Sequence, residues 1–118
     1  MLEDKKKIEE LRKRYERLAS QLAKLDLIVQ GTITERTITK KDPRNPAATR
    51  TIGPYYQWTF KRRGKTVTVN LSASQVKPFQ KAIDINRKAE NLLSKMRELS
   101  RKILDASTEG VKRHNSIK

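Results

Sequence analysis

The chain has 118 residues, of which 35% are apolar, 35% are charged and 5% are aromatic, and its formal net charge is +15. This length fits one small domain with a modest core, so helices that pair along an amphipathic face are expected. The absence of cysteine excludes disulfides, thiolate nucleophiles and cysteine-ligated zinc sites.

No apolar run approaches the roughly 20 residues of a membrane span. The N-terminal segment also lacks the apolar stretch of a secretory signal. We therefore expect a cytoplasmic protein. Its strongly basic charge favours a polyanionic partner, namely DNA, RNA or an anionic membrane surface. The membrane is not the expected partner, because the basic segment is predicted to be strand rather than amphipathic helix.

Residues 1–26 are predicted to form a helix with one apolar seam. Its apolar side chains recur at alternating spacings of three and four, the heptad pattern of helices that pair with one another. The seam residues are Ile8, Leu11, Tyr15, Leu18, Leu22 and Leu25.

Residues 27–71 are predicted to form a basic β-sheet region. β-branched residues favour a strand from about Val29 to Lys40. Three prolines, an asparagine and a glycine then predict a loop over residues 41–54.

Two runs of alternating apolar and polar residues follow, on either side of Arg63-Gly64, a pair suited to a two-residue hairpin turn. A turn there places the large apolar side chains on one face, packed against the helices, and leaves the other face polar. It predicts four cross-strand pairs: Arg62 with Lys65, Phe60 with Val67, Trp58 with Val69, and Tyr56 with Leu71.

Residues 72–107 are predicted to form a long second helix. Ser72 and Gln75 have the spacing of a capping box, and Pro78 predicts a short first turn followed by a restart. Residues 108–118 are predicted to be a flexible tail. The second heptad seam consists of Ala82, Ile85, Ala89, Leu92, Met96, Leu99 and Ile103.

Together these segments predict a one-domain α+β fold. It has an N-terminal heptad helix, a small antiparallel sheet of three strands and a long C-terminal heptad helix. The two seams are expected to pair as an antiparallel helical hairpin within one chain, or as a coiled coil in a homodimer or with a protein partner.

Positive charge is concentrated in the sheet region. Residues 27–83 contain eleven lysines and arginines but only Glu35 and Asp42 as carboxylates, whereas the segments on either side are closer to balance. The side chains predicted to contact nucleic-acid phosphates are Lys61, Arg62, Arg63, Lys65, Arg36, Lys40, Lys41, Arg44 and Arg50.

The polar face of the predicted sheet supplies the candidates for groove or base contacts: Tyr55, Gln57, Thr59, Thr66, Thr68 and Asn70. The alternative is that these residues form only a solvated sheet surface. Tyr56, Trp58 and Phe60 share a face with valines, so they are expected to be core rather than base-stacking residues.

The sequence shows no catalytic triad, no glycine-rich phosphate loop and no metal-ligand spacing, so we expect neither an enzyme, a metal site nor a cofactor. The leading hypothesis is a nucleic-acid-binding protein, with duplex DNA favoured over RNA. The alternative is a coiled-coil accessory or scaffold subunit of a nucleoprotein complex, either RNA-associated or from a mobile element.

The segments TITERTITK, GPYYQWTFKRRGKTVTVNLS and VKPFQKAI, in this order between two helices, resemble a family of short basic prokaryotic proteins known as a domain of unknown function. The resemblance covers residues 8–105. It implies the architecture above rather than a function, because the family has no settled activity. Many members carry a cysteine cluster before GPYY. This chain has KKDPRNPAATRT there, so no metal-stabilised loop is expected.

At the level of the fold, the order of strand, GK turn, strand and helix is similar to the arm-binding domains of tyrosine integrases. Those domains insert a three-stranded sheet into the major groove of DNA. The likeness implies that the polar sheet face contacts DNA.

Overall fold

The structure, a computed structural model, describes residues 2–110, and at positions 2–4 and 46 it describes the backbone alone. The predicted tail lies largely at 111–118, outside the described residues. The elements confirm the predicted α+β architecture: α1 spans Leu2–Ala23, β1 Thr32–Asp42, β2 Asn45–Arg62, β3 Lys65–Leu71 and α2 Ala73–Ser107.

The chain divides into two compact units. Residues 26–87 form the sheet unit, which contains all three strands and the beginning of α2. Of the described residues, 2–25 and 88–110 form the helical unit. None of the described helices combines the length and the apolarity needed to cross a membrane.

The sheet is antiparallel, with β2 between β1 and β3. All four cross-strand pairs predicted from the Arg63-Gly64 turn are present. Both turn residues have positive φ, 50° at Arg63 and 79° at Gly64, as a type I′ hairpin turn requires. The turn therefore fixes the register of β2 on β3.

The prediction of a loop over residues 41–54 was wrong, because this segment is the distal part of a β1–β2 hairpin. Its three prolines occupy places where the ladder is interrupted. Pro43 lies in the turn, Pro46 lies at a register shift, and Pro54 follows Gly53 in a bulge opposite Thr37. Proline is tolerated at turns and bulges because no ladder hydrogen bond needs its missing N–H.

The strand predicted from about Val29 to Lys40 begins later, at Thr32, and ends later, at Asp42. The segment before it is irregular and is held by two hydrogen bonds. The Val29 N–H donates to the carbonyl of Ala82 over 3.2 Å, and the Trp58 indole N–H donates to the carbonyl of Gln30 over 2.8 Å.

The apolar sheet face packs on the first part of α2 within the sheet unit. Trp58 stacks on Phe60 with ring centroids 4.2 Å apart and meets the ring of Phe79 edge-on at 5.2 Å. Ile83, one turn beyond Phe79, is only 2% exposed. The heptad pattern missed Phe79 and Ile83, because this part of α2 packs on a sheet.

The predicted restart of the helix at Pro78 was also wrong, because α2 is continuous through this residue. Proline at this position removes one backbone hydrogen bond, that to the carbonyl of Ser74, near the exposed end of the helix where water can replace it. One of the two bonds of the predicted capping box is present, since the Ser72 N–H donates to Gln75 Oε1 over 2.9 Å. The Gln75 N–H donates to the backbone carbonyl of Ser72 instead of its hydroxyl, over 3.0 Å.

In the helical unit, Leu11, Leu99 and Ile103 form a buried cluster. Half-buried side chains of α1 pack against it, namely Ile8, Tyr15 and Leu18. The other predicted seam residues are also buried or half-buried: Leu22, Leu25, Ala89, Leu92 and Met96 in this unit, and Ala82 and Ile85 in the sheet unit. Whether the seams pair within one chain or between two stays a prediction.

Candidate nucleic-acid interface

One face of the three-stranded sheet carries aligned polar side chains, because directly opposed residues of an antiparallel pair share a face. We call this surface the polar face. It consists of four rows: Thr32, Thr59 and Thr68; Thr34, Gln57 and Asn70; Arg36 and Tyr55; Lys61 and Thr66.

Cross-strand contacts order the two central rows. Gln57 Nε2 donates to Asn70 Oδ1 over 3.4 Å, and the hydroxyls of Thr59 and Thr68 lie 3.5 Å apart. Glutamine, asparagine and threonine side chains can each donate to and accept from base edges, and threonine methyls can contact the methyl group of thymine. The rows therefore offer the chemistry of direct base recognition.

Neither carboxylate of residues 27–83 lies on the polar face. Glu35 pairs with Tyr56 and so belongs to the opposite face. Asp42 lies at the far end of β1, where its Oδ1 accepts a hydrogen bond from the Arg44 N–H over 2.9 Å. The polar face is therefore cationic, with Arg36 and Lys61 as its charged groups.

The four cations predicted around the β2–β3 turn do not share one face. Lys61 lies on the polar face, whereas Arg62 and Lys65 are directly opposed on the other face, and Arg63 occupies the turn. All four are exposed. They surround the end of the hairpin and can reach phosphates on more than one side of it.

The remaining predicted phosphate contacts lie at the other end of β2. Lys40 is directly opposed to Arg50, Lys41 is opposed to Thr49, and Arg44 lies in the β1–β2 turn. The structure thus separates the predicted cations into two groups, at opposite ends of an 18-residue strand. Of the nine predicted phosphate contacts, Arg36 and Lys61 are the two that lie on the polar face itself.

Ion pairs between described residues occur in α2, where they join Arg87 to Asp84, Arg101 to Asp105 and Lys102 to Glu98. Among the side chains that the structure describes, those of residues 5–45 and 47–110, no lysine or arginine of the three strands pairs with a carboxylate. No three histidine or acidic side chains of the same set gather as ligands for a metal ion.

Sequence reasoning missed Thr32 and Thr34, which extend the two central rows onto β1. Their alternation with Ile33 and Glu35 was visible in the sequence. Assigning them to a face required the register of β1 on β2, however, and that register was lost when the connecting segment was taken for a loop.

Comparisons of this chain with protein-family models, with curated proteins and with solved structures find no match. The resemblance to the family of short basic prokaryotic proteins therefore stays a prediction.

Proposed function

We propose that this chain is a non-enzymatic nucleic-acid-binding protein that binds duplex DNA through the polar face of its sheet. The observation that carries the proposal is the composition of that face. It combines aligned threonine, glutamine and asparagine side chains with Arg36 and Lys61, and it holds no carboxylate. B-DNA admits β-strands into its major groove, where base edges are recognised by such side chains.

Two like-charge pairs support a polyanionic partner. Arg62 is directly opposed to Lys65, and Lys40 is directly opposed to Arg50. Like charges in directly opposed positions destabilise a sheet. A phosphate bound beside each pair would offset this repulsion. On a sheet surface that binds no anion, the repulsion would remain and would serve no purpose.

A single isosteric substitution tests the face. Asn70→Asp adds a negative charge to a central row, while the new carboxylate can still accept the hydrogen bond from Gln57 Nε2. We expect the affinity for duplex DNA to fall about tenfold or more, because the carboxylate faces phosphates and base acceptors. The affinity is measured by fluorescence anisotropy with a labelled duplex.

Asn91→Asp is the matched control, because it makes the same chemical change at an exposed position of α2. This control is expected to bind like the unmodified protein. Equal affinities for Asn70→Asp and Asn91→Asp would contradict the assignment of the polar face.

Duplex DNA is favoured over single strands by the position of the aromatics. Single-strand recognition relies on exposed aromatic side chains that stack on bases. On the polar face, Tyr55 is 45% exposed, whereas Trp58 and Phe60 stack on each other on the opposite face. Competition between duplex DNA, single-stranded DNA and RNA is expected to rank the duplex first, and a preference for either single strand would reverse this choice.

A second candidate function is that of an accessory or scaffold subunit in a nucleoprotein complex. It is favoured by an exposed apolar position in the helical unit, where Leu104 is 60% exposed in a groove that also includes Leu93 and Met96. Leu104→Glu should leave the fold intact. If it abolishes function in the cell while DNA binding persists, this second function is the correct one.

We further infer that the protein acts in the cytoplasm, because the resemblance is to prokaryotic proteins and the DNA of a prokaryotic cell lies in that compartment.

A further inference from the structure

The β1–β2 hairpin extends beyond the three-stranded sheet as a two-stranded arm. This β-arm consists of residues 37–42 of β1 and 45–52 of β2, joined by the turn at residues 43 and 44. β3 pairs with residues 56–62 of β2, so no third strand among the described residues lies beside the β-arm. An isolated pair of strands is marginally stable in water, and a partner would stabilise it.

The β-arm is strongly cationic. It contains Lys40, Lys41, Arg44 and Arg50, all exposed, and Lys40 is opposed to Arg50. Asp42 is its only carboxylate, and this side chain accepts a hydrogen bond from the turn itself. Charge complementarity therefore favours a polyanion as the partner of the β-arm.

An apolar pair interrupts these cations. Ile38 is directly opposed to Ile52, and strand alternation places both on the side of the hairpin that carries Arg36, Lys40 and Arg50. Ile38 is 40% exposed. Deoxyribose rings alternate with phosphates along a DNA strand, so cations flanking an apolar pair match a nucleic-acid backbone better than they match a free phosphate ion.

The length of β2 carries the far end of the β-arm away from the polar face. From Tyr55 on the polar face to Asn45 at the far end, ten residues span roughly 33 Å at about 3.3 Å per residue if the strand is straight. The major groove is about 12 Å wide, so the polar face and the far end of the β-arm do not fit within one groove crossing. With the polar face in a groove, the far end of the β-arm therefore lies over a different stretch of backbone.

We propose that the β-arm is a second DNA-binding element. It extends over the phosphodiester backbone next to the groove that holds the polar face, with Lys40, Lys41, Arg44 and Arg50 on phosphates and the Ile38–Ile52 pair on deoxyribose. This inference rests on the proposed function and adds a separate contact region to it.

The quadruple variant Lys40→Gln, Lys41→Gln, Arg44→Gln and Arg50→Gln tests the cationic part. Each phosphate contact contributes about 0.9 to the slope of log K against log salt concentration, so we expect the slope to become shallower by about three to four. Affinity at 100 mM salt falls about tenfold or more. Hydroxyl-radical footprinting on a duplex of about 30 base pairs, roughly three helical turns, shows protection lost at one end of the site only.

The matched control neutralises four exposed lysines of α1, Lys5, Lys6, Lys7 and Lys13, in the same way. It removes an equal charge from outside both contact regions, and it is expected to change the slope by less than about one. Near-ultraviolet circular dichroism of Trp58 confirms that both variants retain the packed sheet.

A second variant tests the apolar part without changing the charge. Ile38→Thr combined with Ile52→Thr keeps β-branched side chains in the strands but removes the apolar surface. We expect affinity to fall about fivefold with the salt slope unchanged. Val69→Thr makes the same kind of change at a 38% exposed position on the opposite sheet face and is expected to have no effect.

The outcomes separate this inference from the proposed function. If the unmodified protein binds duplex DNA and the quadruple variant keeps its slope and full footprint, the β-arm is not a DNA contact and the polar face stands alone. Unchanged affinity of the isoleucine variant would remove the deoxyribose contact only. Failure of the unmodified protein to bind duplex DNA at low salt would overturn both proposals.

Discussion

Gly31 lies between the irregular segment at residues 25–30 and the start of β1 at Thr32. Its φ is +114°, a region that L side chains rarely adopt, and a Cβ at this position would collide with the carbonyl oxygen of Thr59 and lie 2.7 Å from Trp58 Nε1. The Trp58 indole N–H, which donates to the carbonyl of Gln30, therefore occupies the space that a side chain at position 31 would need. The approach of β1 to the core depends on this glycine.

We predict that Gly31→Ala lowers the free energy of unfolding by about 2 to 4 kcal/mol, because backbone strain and the collision with β2 act together. Urea unfolding followed by Trp58 fluorescence measures the change. Two other glycines separate backbone strain from steric collision. Gly64 has positive φ but open space around it, whereas Gly110 has open space and no positive φ. Gly31→Ala must cost more than Gly64→Ala, and Gly110→Ala must be neutral; any other order contradicts this explanation.

Arg63 adopts a left-handed backbone conformation in the β2–β3 turn, with φ of 50°. This conformation costs most L residues about 1 to 2 kcal/mol, whereas asparagine adopts it readily and is favoured in type I′ turns. The presence of arginine here is therefore unfavourable for the free protein and consistent with a role for its charge.

We predict that Arg63→Asn raises the free energy of unfolding by about 0.5 to 1 kcal/mol and weakens duplex DNA binding. Thermal unfolding and anisotropy titrations measure the two effects. A variant that gains stability and keeps full affinity would show that Arg63 does not contact DNA.

At the scale of elements, the β2–β3 hairpin was predictable because its turn carries its own signal. Arg63-Gly64 fixes the register, and the register in turn assigns the side chains of residues 56–62 and 65–71 to a face. The β1–β2 hairpin was not predictable in the same way. Its prolines indicated a loop, although they occupy a turn, a register shift and a bulge within continuous strands.

The second helix shows a similar limit of sequence patterns. The heptad spacing predicted the buried positions Met96, Leu99 and Ile103. The same spacing continues toward the N-terminus of α2, where the partner is a sheet. There Ile83 is buried beside the seam residue Ala82, and Phe79 is half-buried against Trp58. Periodicity identifies an apolar face, but it does not identify the partner of that face.

The like-charge pairs of the sheet lead to a prediction about stability. Lys65→Gln and Arg50→Gln each remove one member of a directly opposed pair, so each is expected to raise the free energy of unfolding by about 0.2 to 1 kcal/mol at low salt. At about 1 M salt the Debye length falls to roughly 3 Å and the gain should disappear.

Urea titrations at the two salt concentrations measure this effect. Lys13→Gln, an exposed position of α1, is the control and is expected to show no salt-dependent gain. Loss of stability in Lys65→Gln or Arg50→Gln at low salt would mean that the opposed cations do not repel each other in the free protein.

At the scale of the whole molecule, charge is segregated along the chain. Residues 27–83 have eleven cationic residues against two carboxylates, whereas residues 1–26 have eight against six. The ion pairs of the described residues lie in α2. A concentrated positive field increases the rate at which a polyanion encounters the sheet, and salt screens this effect.

The salt dependence of duplex binding tests the central proposal most directly. Nine cations were assigned to phosphates, and neutralisation of six or more gives a slope of about −5 or steeper in log K against log salt concentration. We predict that affinity for a duplex of about 30 base pairs falls about 10³-fold or more between 50 and 200 mM salt. A slope shallower than about −2, or no binding at about 50 mM salt, would contradict the proposal that this sheet is a DNA-binding surface.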